Sequence, residues 1–121
     1  MLTFTLEETI MSSVKLLNDG NFTNEVESNS GAVMVDFSAD WCAPCQILAP
    51  KIEEIANEYK GKAKVAKFDV DQSLSVPMRF GIRGIPTVLF FKGGILVDQV
   101  VGLVRKEELT SRLDSLLAGT N

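Results

Sequence analysis

Residues 32–45, AVMVDFSADWCAPC, run from an almost unbroken apolar stretch into two cysteines separated by two residues. The apolar part, Ala32 to Phe37, suits a central strand covered on both faces, because side chains on both sides of its pleat need burial. Downstream, Leu48, Ile52, Ile55, Ala56 and Tyr59 fall at i, i+4, i+7, i+8 and i+11, which is one face of a helix from Cys42 to Tyr59. A Cys-x-x-Cys that follows a buried strand and opens a long helix reads as a redox pair. The metal reading needs four ligands. The chain has no histidine and no further cysteine, so it offers half a thiolate site unless two chains pool their pairs. A purely structural disulfide across so short a loop contributes about 2 kcal/mol in the chain-entropy model, little for a domain this apolar in a reducing compartment.

The two sulfurs are not equivalent. Cys42 is expected at the helix N-terminus, where unpaired N–H groups and the helix dipole favour a thiolate, which makes it the attacking nucleophile. Cys45 lies one turn further in as the resolving thiol, and the i, i+3 spacing brings the pair within reach of a disulfide. Pro44 fits the first turn, whose amides have no carbonyl partner to lose. Trp41 is either a core aromatic or a flat apolar shield over the disulfide.

Asp36 interrupts the apolar run, and a carboxylate there must be buried, protonated or paired. Lys67 interrupts VAKFDV in the same way, and the two strands are expected side by side so that each charge answers the other. The alternatives are a structural ion pair, strand ends reaching solvent, or an acid/base group. We take Asp36 as the last, since a buried carboxyl with a raised pKa is suited to moving protons near neutrality.

Outward from this centre, Val14 to Leu17 forms a short apolar run and Phe22 to Val26 a short helical stretch. Pro50 falls inside the long helix and is expected to kink it, and Gly61 to end it. Ala63 to Val70 reads as a strand and Leu74 to Phe80 as a weaker helix. Thr87 to Phe91 and Ile95 to Val101 are strands joined at Lys92-Gly93-Gly94, a hairpin signal. Leu109, Leu113, Leu116 and Leu117 mark a last amphipathic helix. The order is βαβαβαββα, an α/β chain with helices covering both faces of one sheet. Asp69, Asp71 and Ser73 mimic the start of a calcium loop, but Leu74 stands where glycine is needed and Phe80 where an acid is needed. Lys60, Lys62 and Lys64 read as a solvated helix end and turn.

The 121 residues, 45% hydrophobic and 23% charged, suit one domain, taken as residues 11–121. No apolar run reaches the ~20 residues of a membrane span. A net charge of −4 argues against non-specific nucleic-acid binding, and the lack of histidine excludes every imidazole mechanism within the chain. Residues 1–10, MLTFTLEETI, carry two acids and no Lys or Arg, unlike a secretory signal or transit peptide. They read as an extension, disordered or an added strand, with Met11 as a second start, and the expected compartment is the cytoplasm.

VDFSADWCAPC, Pro50, VAKFDVD, RFGIRGIPT, the Lys92-Gly93-Gly94 hairpin and Gly102 resemble, in order and spacing, the thioredoxin family from about Val14 to Ala118. The resemblance implies the thioredoxin fold, a central mixed sheet with helices on both faces. It implies reduction of protein disulfides by dithiol exchange, with no bound cofactor and the Cys42–Cys45 disulfide as redox group. Cys42 would attack, Cys45 resolve, Asp36 assist proton transfer at Cys45, and Lys67 tune Asp36. Pro86 would be cis and face the disulfide. The substrate groove would comprise Trp41, Ala43, Pro44, Gly84, Ile85, Pro86, Val101 and Gly102, the backbone of Ile85 pairing with an extended substrate. Partners would be disulfide-containing client proteins and a thioredoxin reductase, flavin-dependent or ferredoxin-linked, with the protein acting as a monomer.

The sequence departs from the family pattern at three positions: Ala43 for glycine, Gln46 for a common lysine and Ser38 for a frequent aromatic. None removes a reacting atom, so they bear on redox poise and partner choice. Two other readings are a dedicated donor or mild oxidant, and a binding module in which the cysteines are incidental.

Overall fold

A computed structural model describes residues 12–119, so the expected extension over residues 1–10 lies outside the described residues. Five strands form one sheet: β1 (Lys15–Leu17), β2 (Ala32–Ser38), β3 (Lys64–Asp69), β4 (Thr87–Lys92) and β5 (Ile95–Val101), in the order β1-β3-β2-β4-β5. β3 runs parallel to both β1 and β2, whereas β4 is antiparallel to β2 and β5 to β4, so the sheet is mixed. Every residue of β2 is buried, as its apolar sequence requires of a strand with a neighbour on each edge and a layer on each face.

The pleat sorts the core into two layers. Ala32 and Met34 of β2 pack with Leu48, Ile52, Ile55 and Ala56 of α1 (Ala43–Glu58) and with Leu109, Leu113 and Leu116 of α3 (Lys106–Leu117). Val33, Val35 and Phe37 face the other way, towards Phe22, Val26, Val76 and Phe91. That second layer is covered by a short π-helical segment (Thr23–Glu27) and by α2 (Ser75–Arg79), so helices do cover both faces. Among the described residues no helix is long and apolar enough to cross a membrane.

Local chemistry shifts several boundaries from those expected. The long helix begins at Ala43 rather than Cys42, because Cys42 keeps an extended backbone and caps the helix with its sulfur. It runs on through Pro50 to Glu58. The first helical stretch closes with a bond from Ser28 N to Thr23 O, one residue longer than an α-turn. The last helix starts three residues before Leu109, with Glu107 and Glu108 in its first turn where the dipole favours acids. Of the three lysines read as solvated, Lys64 instead lies half-buried in β3 with Nζ 2.5 Å from Glu25 Oε1.

The hairpin between β4 and β5 uses both its glycines. Gly93 and Gly94 have φ of 60° and 80°, which side chains rarely adopt. At Gly94 a Cβ would also sit 2.1 Å from the carbonyl oxygen of Glu27, whereas at Gly93 it would meet nothing within 4 Å. Gly94→Ala should therefore cost roughly 3 kcal/mol and Gly93→Ala only about 1 kcal/mol. Equal costs in urea unfolding would show that the Glu27 backbone yields without penalty.

Candidate active site

The chain leaves the sheet at Ser38, turns through Ala39, Asp40 and Trp41, and enters α1 at the cysteine pair. The turn is held by Cys42 N donating to Ala39 O at 3.2 Å. Cys42 and Cys45 are joined as a disulfide, with Cα atoms 5.2 Å apart. The Cys42 sulfur accepts the backbone N–H of Cys45 at 3.2 Å, an amide that would otherwise lack a partner in the first helical turn. Both cysteines are nearly buried, at 5% and 3% exposure. Exposure therefore does not separate their roles, whereas the capping position does: only Cys42 receives a helix-terminal amide.

Opposite the disulfide stands the loop before β4. Ile85 packs against the buried cluster of Ala39, Cys42 and Cys45, and its carbonyl oxygen lies 3.9 Å from Cys42 Sγ. The Ile85–Pro86 peptide is cis. Thr87 Oγ1 donates to Gly84 O at 2.6 Å, and Gly102 N donates to Pro86 O at 2.8 Å. The second bond ties the end of β5, where Val101 is exposed, to the proline loop. Ala43 and Pro44 are exposed on the first turn of α1. Every residue expected in the groove thus belongs to one of three segments connected around the disulfide.

Trp41 is 70% exposed, which removes the core-aromatic alternative. Its indole Nε1 donates to Asp71 Oδ2 at 2.9 Å, holding the ring on the surface. Beside it lies a cavity of about 190 Å³ lined by Trp41, Val70, Leu74, Pro77, Ile82, Arg83, Gly84 and Ile85. Of these, Trp41, Gly84 and Ile85 belong to the groove expected from the sequence. Val70, Leu74 and Ile82 carry no signal in the sequence that separates them from core residues, and Asp71 stands out there only as a false calcium ligand.

Asp36 is 1% exposed, on the face of β2 that looks towards α1. Burial pushes its carboxyl up to about 7, against a smaller opposing pull from the positive charge of Lys67. Lys67 is its register partner on β3, as the paired interruptions suggested. The lysine acts through its field, because Asp36 Oδ1 is buried with no hydrogen-bond partner. Two residues on, Ser38 Oγ is likewise buried and unpartnered. A second cavity, of about 290 Å³, is lined by Ser38, Cys45, Gln46, Ala49 and Lys67 among others. Gln46 donates from Nε2 to Asp40 O at 2.5 Å, bracing the turn that presents Cys42. Among the described residues no group of three or more His, Cys, Asp or Glu is placed to hold a metal ion.

A redox disulfide at a helix N-terminus, with a buried carboxyl on the strand beneath, can exchange with another disulfide and move a proton. The family model described as Thioredoxin matches residues 13–115. Thioredoxin of Acidithiobacillus ferridurans is 45% identical over 105 residues, covering 87% of this chain and 97% of that protein. Thioredoxin 1 of a Nostoc species is 45% identical over 107 residues, covering 88% of this chain and all of its own.

Proposed function

Because the chain belongs to the thioredoxin family and is a thiol–disulfide oxidoreductase that reduces protein disulfides through Cys42 and Cys45, we propose that Cys42 attacks, Cys45 resolves and Asp36 takes the proton from Cys45. The observation that carries this reading is the capping geometry: the Cys42 sulfur accepts the Cys45 amide at the positive end of α1. In the reduced protein the same amide stabilises the Cys42 thiolate, the reactive species.

The cycle balances as two exchanges. The Cys42 thiolate attacks one sulfur of a client disulfide, forming a mixed disulfide and releasing the other client sulfur as a thiolate. Cys45 then gives its proton to the Asp36 carboxylate and attacks Cys42 Sγ. That step closes the Cys42–Cys45 disulfide and expels the second client thiolate. The client gains two electrons and the protein loses two. Lys67 holds the Asp36 carboxylate within reach of neutral pH by opposing the effect of burial.

Clients lie across Trp41, Ala43 and Pro44 on one side and Gly84, Ile85, Pro86, Val101 and Gly102 on the other, with the backbone of Ile85 available to pair with an extended segment. The oxidised protein is recycled by a thioredoxin reductase, either flavin-dependent or ferredoxin-linked. The protein works as a monomer in the cytoplasm without a bound cofactor. Insulin reduction driven by dithiothreitol tests the activity: turbidity must develop faster with the wild-type protein than with dithiothreitol alone. A chain in which the cysteines were incidental would give equal rates.

The role of Cys42 is tested separately by alkylation of reduced Cys45→Ser protein as a function of pH. Its rate should reach half-maximum below the ~8.5 of a free cysteine. Adding Gln46→Lys places a cation near the helix start, an exposed and screened effect below about 1 kcal/mol. The alkylation midpoint should fall modestly. With Cys45 restored, the reduction potential should rise by about 5 to 20 mV, because a stabilised thiolate makes the disulfide more oxidising. A potential moving the other way would place the effect in the lost Gln46–Asp40 brace.

A further inference from the structure

The apolar cavity beside the disulfide extends well past the residues that touch the sulfurs. Val70 and Ile85 pack against the buried cluster of Ala39, Cys42 and Cys45 and also line this cavity, so cavity and redox centre share walls. Leu74, which precedes α2, also lines the cavity and is 60% exposed. One helical turn on from Leu74, Met78 is 71% exposed. Leaving Trp41, Leu74 and Met78 open to water forgoes the gain from burying large apolar side chains, and a partner seated here recovers it.

Arg83 lines the same cavity. Arg79 and Arg112 are paired with Glu27, and with Asp98 and Glu108. Arg83 has no ion pair or hydrogen bond among the described residues. No acidic residue among those described lines this cavity, and Asp71, next to Val70 in sequence, is engaged by the Trp41 indole. The groove therefore offers an apolar seat with a free cation in its lining.

We infer that this groove selects client segments carrying a large apolar side chain near the reacting cysteine and an acidic side chain beyond it, with Leu74 seating the first and Arg83 attracting the second. The inference rests on the reading that Cys42 attacks. A client sulfur bonded to Cys42 holds its own flanking residues over the shared wall, and each residue of an extended segment reaches about 3.3 Å, so the first two or three flanking positions cover the groove. Tethering makes each contact intramolecular, so a modest contact changes the rate of capture.

The test uses peptides with one disulfide and a common scaffold, varied at the two positions on each side of the attacked cysteine: Leu with Asp, Ala with Asp, and Leu with Lys. For the wild-type protein kcat/KM should favour Leu over Ala by about fivefold, and Asp over Lys by about threefold at low salt. Leu74→Ser should bring the first ratio close to one. Arg83→Glu should invert the second, and 0.5 M salt should erase it. Equal rates on all wild-type peptides, or ratios that persist in the variants, would overturn the groove assignment while leaving dithiol exchange intact. Failure to reduce any peptide would instead overturn the underlying reading. Sedimentation of the wild-type protein closes the remaining route: a dimer dispersed by Leu74→Ser would mean that a second copy of this chain occupies the groove.

Discussion

Cys45→Ser protein should accumulate covalent adducts with its clients, while Cys42→Ser protein should capture none. Without the Cys45 thiol the first exchange still proceeds, but nothing attacks the mixed disulfide, so the adduct persists until an external thiol arrives. Turnover in either variant should fall by at least ~10³-fold, because each residue supplies a sulfur that the cycle cannot replace. Non-reducing gels of a mixed client pool, followed by mass spectrometry of the bonded cysteine, read the outcome directly. Adducts on both variants in equal amounts would mean that the capping position of Cys42 does not set the direction of attack. The two sulfurs are almost equally buried, so this experiment isolates the contribution of the helix terminus.

Asp36→Asn should move stability and rate in opposite directions. In the folded protein Asp36 loses its proton near pH 7, and in the unfolded chain near 3.8. Below pH 4 both states are protonated and the residue is neutral for stability. Between pH 4 and 7 the unfolded chain has released the proton and the folded chain has not, so stability falls as pH rises. Above 7 the deficit is constant, on the order of 4 kcal/mol. Asparagine deletes that titration but buries an amide where Oδ1 already lacks a partner, which costs about 1–3 kcal/mol. The variant should gain roughly 1–3 kcal/mol in urea at pH 8 and lose about 1–3 kcal/mol at pH 4, where the carboxyl it replaces is protonated in both states. Client reduction should slow by about ten- to a hundredfold, with loss of the rise in rate that accompanies ionisation near pH 7. A variant equally fast at every pH from 6 to 9 would reduce Asp36 to a structural residue.

The centre of the site was readable because its determinants are local. An apolar strand, a turn and a helix face place the two cysteines within fourteen residues, and the interruptions Asp36 and Lys67 announce each other because both violate strand burial. Trp41 was ambiguous because its position depends on Asp71, thirty residues away in sequence, and no local pattern encodes that bond. Leu74, at the start of the weak helix expected over residues 74–80, gives no sign of lining a groove, since spacing reports which residues share a face and not whether anything covers it. The π-helical closure at Ser28 was equally hidden, because a five-residue segment has too few apolar positions to distinguish helix types.

The strand order has a consequence for how the protein combines constancy with tolerance. β2 lies in the middle of the sheet with partners on both edges, so its amides should exchange with solvent only when the molecule opens globally. Trp41, Leu74 and Arg83 sit on connections or at the start of a five-residue helix, whose openings cost far less. The reacting sulfurs thus follow the strand expected to open last, whereas the residues proposed to meet clients lie on connections and a short helix that open at lower cost. Clients of different shape can be accommodated by rearranging those connections on short timescales, while the geometry at the sulfur pair, and with it the driving force for electron delivery, stays the same from one client to the next.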